Sequence, residues 1–314
     1  MISNQERRVL ITGASGLLGG NILNLLPKSW NVVGVVNKHG LAPINKKITI
    51  AECDLSNLCY DKLFEQYGPF DFVIHTAALA DVDRCEEDKD LAYKLNVGFV
   101  KSISDFCKIH DAFLLHISSD HVFDGNNGNY SENDKTGAVN YYAETKLLAE
   151  QEIKKSGINY AIIRTNFFGY NIQQKDDIAG WMVNSLRSGM PIRLFNDVFF
   201  SPILINYLAE YIFEIVERKD KGIFHLAASD SCSKYDFGMK LAKIFNLDDS
   251  LITAISVDSS CLSVKRPKNM SLDVSAAVNK FKRKLPSIDE SILKYKQLYE
   301  NNYQNKLREL FLGK

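Results

Sequence analysis

The sequence predicts an α/β protein: a doubly wound parallel sheet followed, on its C-terminal side, by a smaller, mainly helical lobe. Three observations carry this. Short runs rich in Val, Ile and Leu alternate with helix-length segments from residue 9 to about residue 164. The runs are continuously apolar rather than alternating, the pattern of strands buried on both faces. After about residue 165 that rhythm loosens. Strand and helix in series close as a sheet with helices on both sides.

Taken in order, Val9–Thr12 is the first strand and Gly16–Leu26 the helix after it. Val32–Val36 is the second strand. A third strand candidate precedes Cys53-Asp54-Leu55, and a helix over Asn57–Tyr67 follows. Phe72–His75 is the fourth strand, Leu91–Ile109 a helix, and Phe113–Ser118 the fifth strand. A helix over Asn140–Ser156 leads to a sixth strand at Tyr160–Arg164. Beyond it, Asp176–Ser188 and Asn206–Arg218 read as helices and Gly222–Leu226 as one more strand. The units are therefore drawn as 1–168 and 169–314, with about 195–228 returning to the first. No internal repeat, low-complexity tract or Pro/Gly linker interrupts them.

Composition excludes several classes. A chain of 314 residues, 46% hydrophobic and 24% charged, can bury a sizeable core. Lys plus Arg and Asp plus Glu are 38 each, which argues against a nucleic-acid partner. The six cysteines form no C-x-x-C pair, so reduced thiols and no metal site are expected. Arg7-Arg8 before Val9–Gly20 imitates a secretory signal, but Thr12, Ser15 and four glycines make a poor apolar core. No later segment reaches the length of a membrane span, so no membrane partner and a cytoplasmic location are expected.

The clearest motif is Thr12-Gly13-Ala14-Ser15-Gly16-Leu17-Leu18-Gly19. It follows the first strand and opens the first helix, the context that separates a dinucleotide-binding (Rossmann) loop from a bare glycine turn. Gly13 suits the tight turn, Gly16 admits a pyrophosphate, and Gly19 lets helix and strand pack closely. Phosphates there would meet the helix N-terminus, beside Ser15 and Leu17. The spacing is G-x-x-G-x-x-G, one residue longer in the loop than G-x-G-x-x-G. The second strand ends Val36-Asn37-Lys38-His39, without the acidic residue that would hold the ribose 2′-hydroxyl of NAD. Asn37 and Lys38 are candidate contacts, and Lys38 and His39 suit a 2′-phosphate. NADP is therefore preferred, with NAD admitted; a solvated loop with no say in the choice is the alternative. Asp54, followed by Leu55, could accept from the adenine amino group or simply start a helix. Ala77 and Ala78, after the fourth strand, leave room for a cofactor. His75 reads as packed or hydrogen-bonded rather than catalytic.

Tyr142 stands four residues before Lys146 and so shares a helix face with it, as Tyr141 does with Thr145. A phenol, with an ordinary pKa of about 10, is expected to be lowered by a neighbouring ammonium. Such a pair suits proton transfer at a carbonyl oxygen. The run Ser118-Ser119-Asp120-His121-Val122-Phe123-Asp124-Gly125 lies at the carboxyl end of a buried strand, where open α/β sheets place ligands. Its hydroxyls can donate to a substrate oxygen or cap turns.

Together the glycine loop, the Ser118–Gly125 run and Tyr142-Ala143-Glu144-Thr145-Lys146 resemble the extended short-chain dehydrogenase/reductase family, in its dTDP-4-dehydrorhamnose reductase branch. The resemblance spans nearly the whole chain. It takes in Asp83–Glu86 with Leu95–Val97, the turn Arg164–Gly169, and Arg266–Asp273. It implies that Ser119 orients a carbonyl, Tyr142 gives the proton, and Lys146 holds the nicotinamide ribose and tunes the tyrosine. Tyr142 and Lys146 are thus cofactor contacts as well as catalytic residues. Asp120, His121, Phe167, Ser201 and Arg266 fall on segments that the family turns toward substrate. Two departures concern the sugar. His121 stands where the branch commonly has Tyr, and Phe167-Phe168 replace a Trp-bearing segment.

The implied activity is NAD(P)H-dependent reduction of a nucleotide-linked 4-keto-6-deoxy sugar, in deoxysugar and surface-polysaccharide biosynthesis. The expected partner is that nucleotide sugar, and a homodimer is a candidate assembly. A nucleotide-sugar epimerase is the enzymatic alternative. A non-catalytic NADP-binding subunit, resembling the regulatory subunit of methionine adenosyltransferase, is the alternative of another class. Phe199 and Phe200 could stack on ligand but suit packing better. Arg193 could hold a diphosphate or lie in solvent. The basic run Lys280–Lys284 reads as a solvated helix end.

Overall fold

The structure, a computed structural model, describes residues 6–37, 40–42, 46–56, 60–173 and 175–312. Seven parallel strands form the central sheet: β1 Arg7–Thr12, β2 Trp30–Val36, β3 Ile48–Glu52, β4 Phe72–His75, β5 Phe113–Ile117, β6 Tyr160–Arg164 and β7 Gly222–His225. Their order across the sheet is β7-β6-β5-β4-β1-β2-β3. The expected strands all appear, some shifted by one or two residues at an end. Successive side chains of a strand point to opposite faces. Accordingly Val9, Ile11, Phe72, Ile74, Phe113 and Leu115 enter one core, while Leu10, Val73, Leu114 and Ile162 enter the other. The first core is covered by the helices Leu17–Asn24 and Ile205–Arg218, the second by Phe99–His110 and Tyr141–Ser156. Both faces are apolar because both are covered.

Strand order reverses between β1 and β4, which pair directly through Thr12 and His75. That reversal opens a crevice at the carboxyl ends of the strands. The chain crosses into a third core, where the helices Ile178–Arg187, Lys234–Phe245 and Ile288–Glu300 enclose Phe168, Phe200 and Tyr295. Three two-stranded ribbons tie this region together: Phe167–Phe168 with Ile203–Leu204, Phe199–Phe200 with Cys232–Ser233, and Ile192–Phe195 with Ile252–Ile255. β7 returns from this half to pair with β6.

One expected helix is broken. Lys89–Tyr93 and Phe99–His110 are separated by a π-helical turn, Lys94–Gly98. The cause is Asn96, which is buried. Its amide brackets Leu79, accepting from the N–H (2.8 Å) and donating to the C=O (3.0 Å), and also donates to Thr145 Oγ1 (3.0 Å). The wider turn carries this side chain inward, linking the loop after β4 to the helix that bears Tyr142.

Candidate active site

The crevice has a volume of about 450 Å³. Gly13, Ser15, Gly16, Leu17, Asn37, Leu55, Ala77 and Ala78 all line it. Gly13 has φ +70°, and a Cβ there would stand 2.8 Å from Ala77 N. Gly19 does not line the crevice. A Cβ on it would stand 2.2 Å from Gly13 O, so this glycine serves the contact between helix and loop. Gly16 is exposed to the crevice and caps the helix Leu17–Asn24 with extended backbone. A bare loop, a helix N-terminus and a strand end of small residues fit a dinucleotide. Lys38 and His39 lie outside the described residues. Asp54 is not among the residues lining the crevice; its Oδ1 accepts from Ser56 N (3.0 Å) and Ser56 Oγ (2.7 Å), a turn within its own segment. Phe167, expected on the substrate side, lines this crevice, where its short strand pairs with Ile203–Leu204. Gln173 also lines it and donates to Ser15 O (2.9 Å). Its loop position gave no sequence signal.

Asn140 caps the helix Tyr141–Ser156 by accepting from Ala143 N (3.0 Å). The two tyrosines then diverge. Tyr141 turns to the surface: its N–H donates to Glu86 Oε2 (3.0 Å), and the Lys89 ammonium lies 5.1 Å from its ring centre. Tyr142 turns inward against His121, with ring centres 5.6 Å apart in an edge-to-face arrangement. Burial pushes the Tyr142 phenol up to about 12, partly offset by the neighbouring Ser119 hydroxyl. This corrects the expected lowering by Lys146. The Lys146 ammonium donates to Ile117 O (2.6 Å) and lies 3.4 Å from His116 Nε2, one turn below the phenol. Burial brings Lys146 down to about 8, against the pull of Glu150.

Beneath Lys146 the polar groups continue. The rings of His116 and His75 stack at 5.1 Å, and His75 Nδ1 lies 2.6 Å from Thr12 Oγ1 at the root of the glycine loop. Burial, with the Lys146 charge, holds His75 down at about 3. One turn along the helix, Glu150 takes Arg164 through two bonds, 2.9 and 2.7 Å, and accepts from Ser118 Oγ (2.7 Å). Ser118 is therefore structural, which leaves Ser119 as the hydroxyl facing Tyr142.

Ser119 caps the short turn Asp120–Val122: it accepts from His121 N (3.2 Å) and donates to Asp120 Oδ1 (3.1 Å). Asp120 is buried and also accepts from Asn166 Nδ2 (2.9 Å). His121 is half-buried and its pKa is lowered, chiefly by burial. Ser201 is buried directly after Phe200, its carbonyl accepting from Ala228 N (3.1 Å). Arg266, expected to meet substrate, is engaged within the chain: it bonds Asp83 Oδ2 (2.7 Å) and Val264 O (2.9 Å). Lys234, missed in the sequence, stands on this side of the site with its ammonium over the Phe200 ring. Among the described residues, no cluster of His, Cys, Asp and Glu could hold a metal, and no helix is long and apolar enough to cross a membrane.

The family described as RmlD substrate binding domain matches residues 7–300. A probable low-salt glycan biosynthesis reductase of Haloferax volcanii is 26% identical over 287 residues, covering 90% of this chain and 95% of that protein. Methionine adenosyltransferase 2 subunit beta of Rattus norvegicus is 28% identical over 289 residues, covering 86% of this chain and 81% of that protein. The dTDP-4-dehydrorhamnose reductase of Bacillus anthracis, solved in complex with NADP, superposes with a TM-score of 0.81 at 23% identity, covering 93% of this chain and 99% of that one. That last likeness is one of fold.

Proposed function

The chain belongs to the family of the RmlD substrate-binding domain, and from that premise we propose that it is an NADPH-preferring reductase of a nucleotide-linked 4-keto-6-deoxy sugar. The observation that carries the reading is that the glycine-loop crevice and the Tyr142, Ser119 and Lys146 group both lie at the carboxyl ends of the strands, joined through Lys146, His116, His75 and Thr12. The crevice would hold NADP through Gly13, Ser15, Gly16, Leu17, Asn37, Ala77 and Ala78, with NAD as the weaker ligand because no carboxylate follows Val36. Bound NADPH supplies a hydride. Ser119 orients the keto oxygen and Tyr142 gives it a proton. A phenol at about 12 is protonated at neutral pH, as a proton donor must be. Lys146, held on Ile117 O at the end of β5, would hold the nicotinamide ribose.

The similarity to methionine adenosyltransferase 2 subunit beta favours a second reading, a cofactor-binding subunit without turnover. A screen of nucleotide 4-keto sugars with NADPH and NADH, following the absorbance of the reduced nicotinamide, tests both. The reductase reading expects NADPH to be consumed mole for mole with product. No consumption on any sugar, with stoichiometric capture of an enzyme partner, would move the second reading ahead.

A further inference from the structure

The substrate side of the site holds a cation that the proposed chemistry does not use. Lys234 opens the helix Lys234–Phe245 directly after the short strand Cys232–Ser233. Its N–H donates to Val198 O (3.0 Å), and its ammonium lies 3.3 Å from the centre of the buried Phe200 ring. Cys232–Ser233 pairs with Phe199–Phe200. Phe199 in turn donates to Lys268 O (2.7 Å) and accepts from Met270 N (2.9 Å). Asn269 N then reaches Gly125 O (3.0 Å), at the end of the turn that starts at Ser119. These backbone bonds join the Lys234 segment, strand by strand, to the run that carries Asp120 and His121.

The other cations near these segments are spoken for. Arg266 is held by Asp83, Lys268 by Asp258, Arg164 by Glu150, and Lys146 by Ile117 O. Among the described residues, Lys234 Nζ has no hydrogen-bond acceptor and no ion-pair partner, only the face of Phe200. Burial presses it down to about 8, while the charge of Asp120 works the other way and Lys234 in turn acts on His121. Lys234 is half-buried, and an ammonium that rests on an aromatic face with no acceptor is free to take an anionic ligand.

We propose that Lys234 is a specificity-determining residue whose ammonium takes an anionic oxygen of the substrate's diphosphate. This rests on the nucleotide-sugar reading above. The experiment is calorimetric titration of the full chain with UDP, UDP-glucose, UDP-glucuronate and NADPH, using wild type, Lys234→Met and Lys234→Arg. Lys234→Met keeps the packing against Phe200 and removes the charge. It should weaken the anionic ligand by about ten-fold or more, with NADPH unchanged and most of the loss restored in Lys234→Arg. A similar loss for all three uridine ligands supports the diphosphate contact, and a loss confined to UDP-glucuronate would overturn it. Unchanged affinity for all three would overturn the proposal, as would an equal loss for NADPH, which would mark Lys234 as a packing residue. Wild-type protein that binds NADPH but none of the uridine ligands, nor the matching thymidine ones, would remove the nucleotide-sugar reading and this inference with it.

Discussion

Along the crevice between β1 and β4 the lining side chains are small, aliphatic or neutral and polar, with one phenylalanine and no ionisable group among the described residues. Across the site stand Asp120, His121, Lys234 and the paired Arg266. The first surface recognises by shape, through backbone N–H groups and a helix N-terminus. On the proposed reading the second recognises by charge. Tyr142 packs against His121 on the second side, and Lys146 on the same helix is linked through His116 and His75 to the root of the glycine loop. Shape is set by the sheet's topology, whereas the charges are brought together by short ribbons from distant parts of the chain. Changes on the first side should act through volume, and changes on the second through electrostatics.

The largest effect is expected where shape rules. Gly16→Val should abolish dinucleotide binding with the fold intact, because the side chain fills the space a pyrophosphate needs. Fluorescence titration with NADPH checks it, and unchanged affinity would break the comparison at its root. At the seam, Tyr142→Phe should lower kcat by about 10²–10⁴ while NADPH affinity survives. Tyr141→Phe, on the surface against Lys89, should change kcat far less. Steady-state kinetics of the two variants decide between them.

A smaller effect is one of pH. Lys146 is charged below about 8 and loses its proton above it. With kcat/KM reporting the free enzyme, the reduction should be level below that value and fall about ten-fold per unit above it. Tyr142, at about 12, adds no limb in the working range. A profile level to pH 10 would show that the ammonium is not needed. The smallest effect belongs to Asp83 and Arg266, a part-exposed pair at 2.7 Å. A double-mutant cycle on thermal stability should find a coupling of at most about 1 kcal/mol.

The crevice was largely legible in the sequence. The glycine spacing, the continuous apolar strands and the small residues after β4 are local signals, and Phe72–His75 and Tyr160–Arg164 begin and end where the apolar runs do. The charged side was not. Ribbons of two residues are too short to show a period. Ser233-Lys234-Tyr235-Asp236 carries the capping box of an ordinary helix start, so nothing local marks Lys234 as facing the site. Arg266 was read by its motif, but Asp83 lies far upstream and takes its guanidinium. The Tyr142–Lys146 spacing correctly placed both on one helix face. It could not show that the phenol would be buried, which raises its pKa, nor that the ammonium would turn to Ile117 O.

The return of β7 to the sheet bears on how the polypeptide is made. Six strands are complete once Arg164 has been synthesised, yet the outer edge of β6 finds its partner only in Gly222–His225. At roughly 5–20 residues per second, a ribosome takes roughly 3–12 seconds to cover that interval. Throughout it Tyr160–Arg164 presents unpaired N–H and C=O groups to whatever strand comes near. A nascent chain halted in this interval should be the form most prone to clump with its neighbours and most dependent on chaperones.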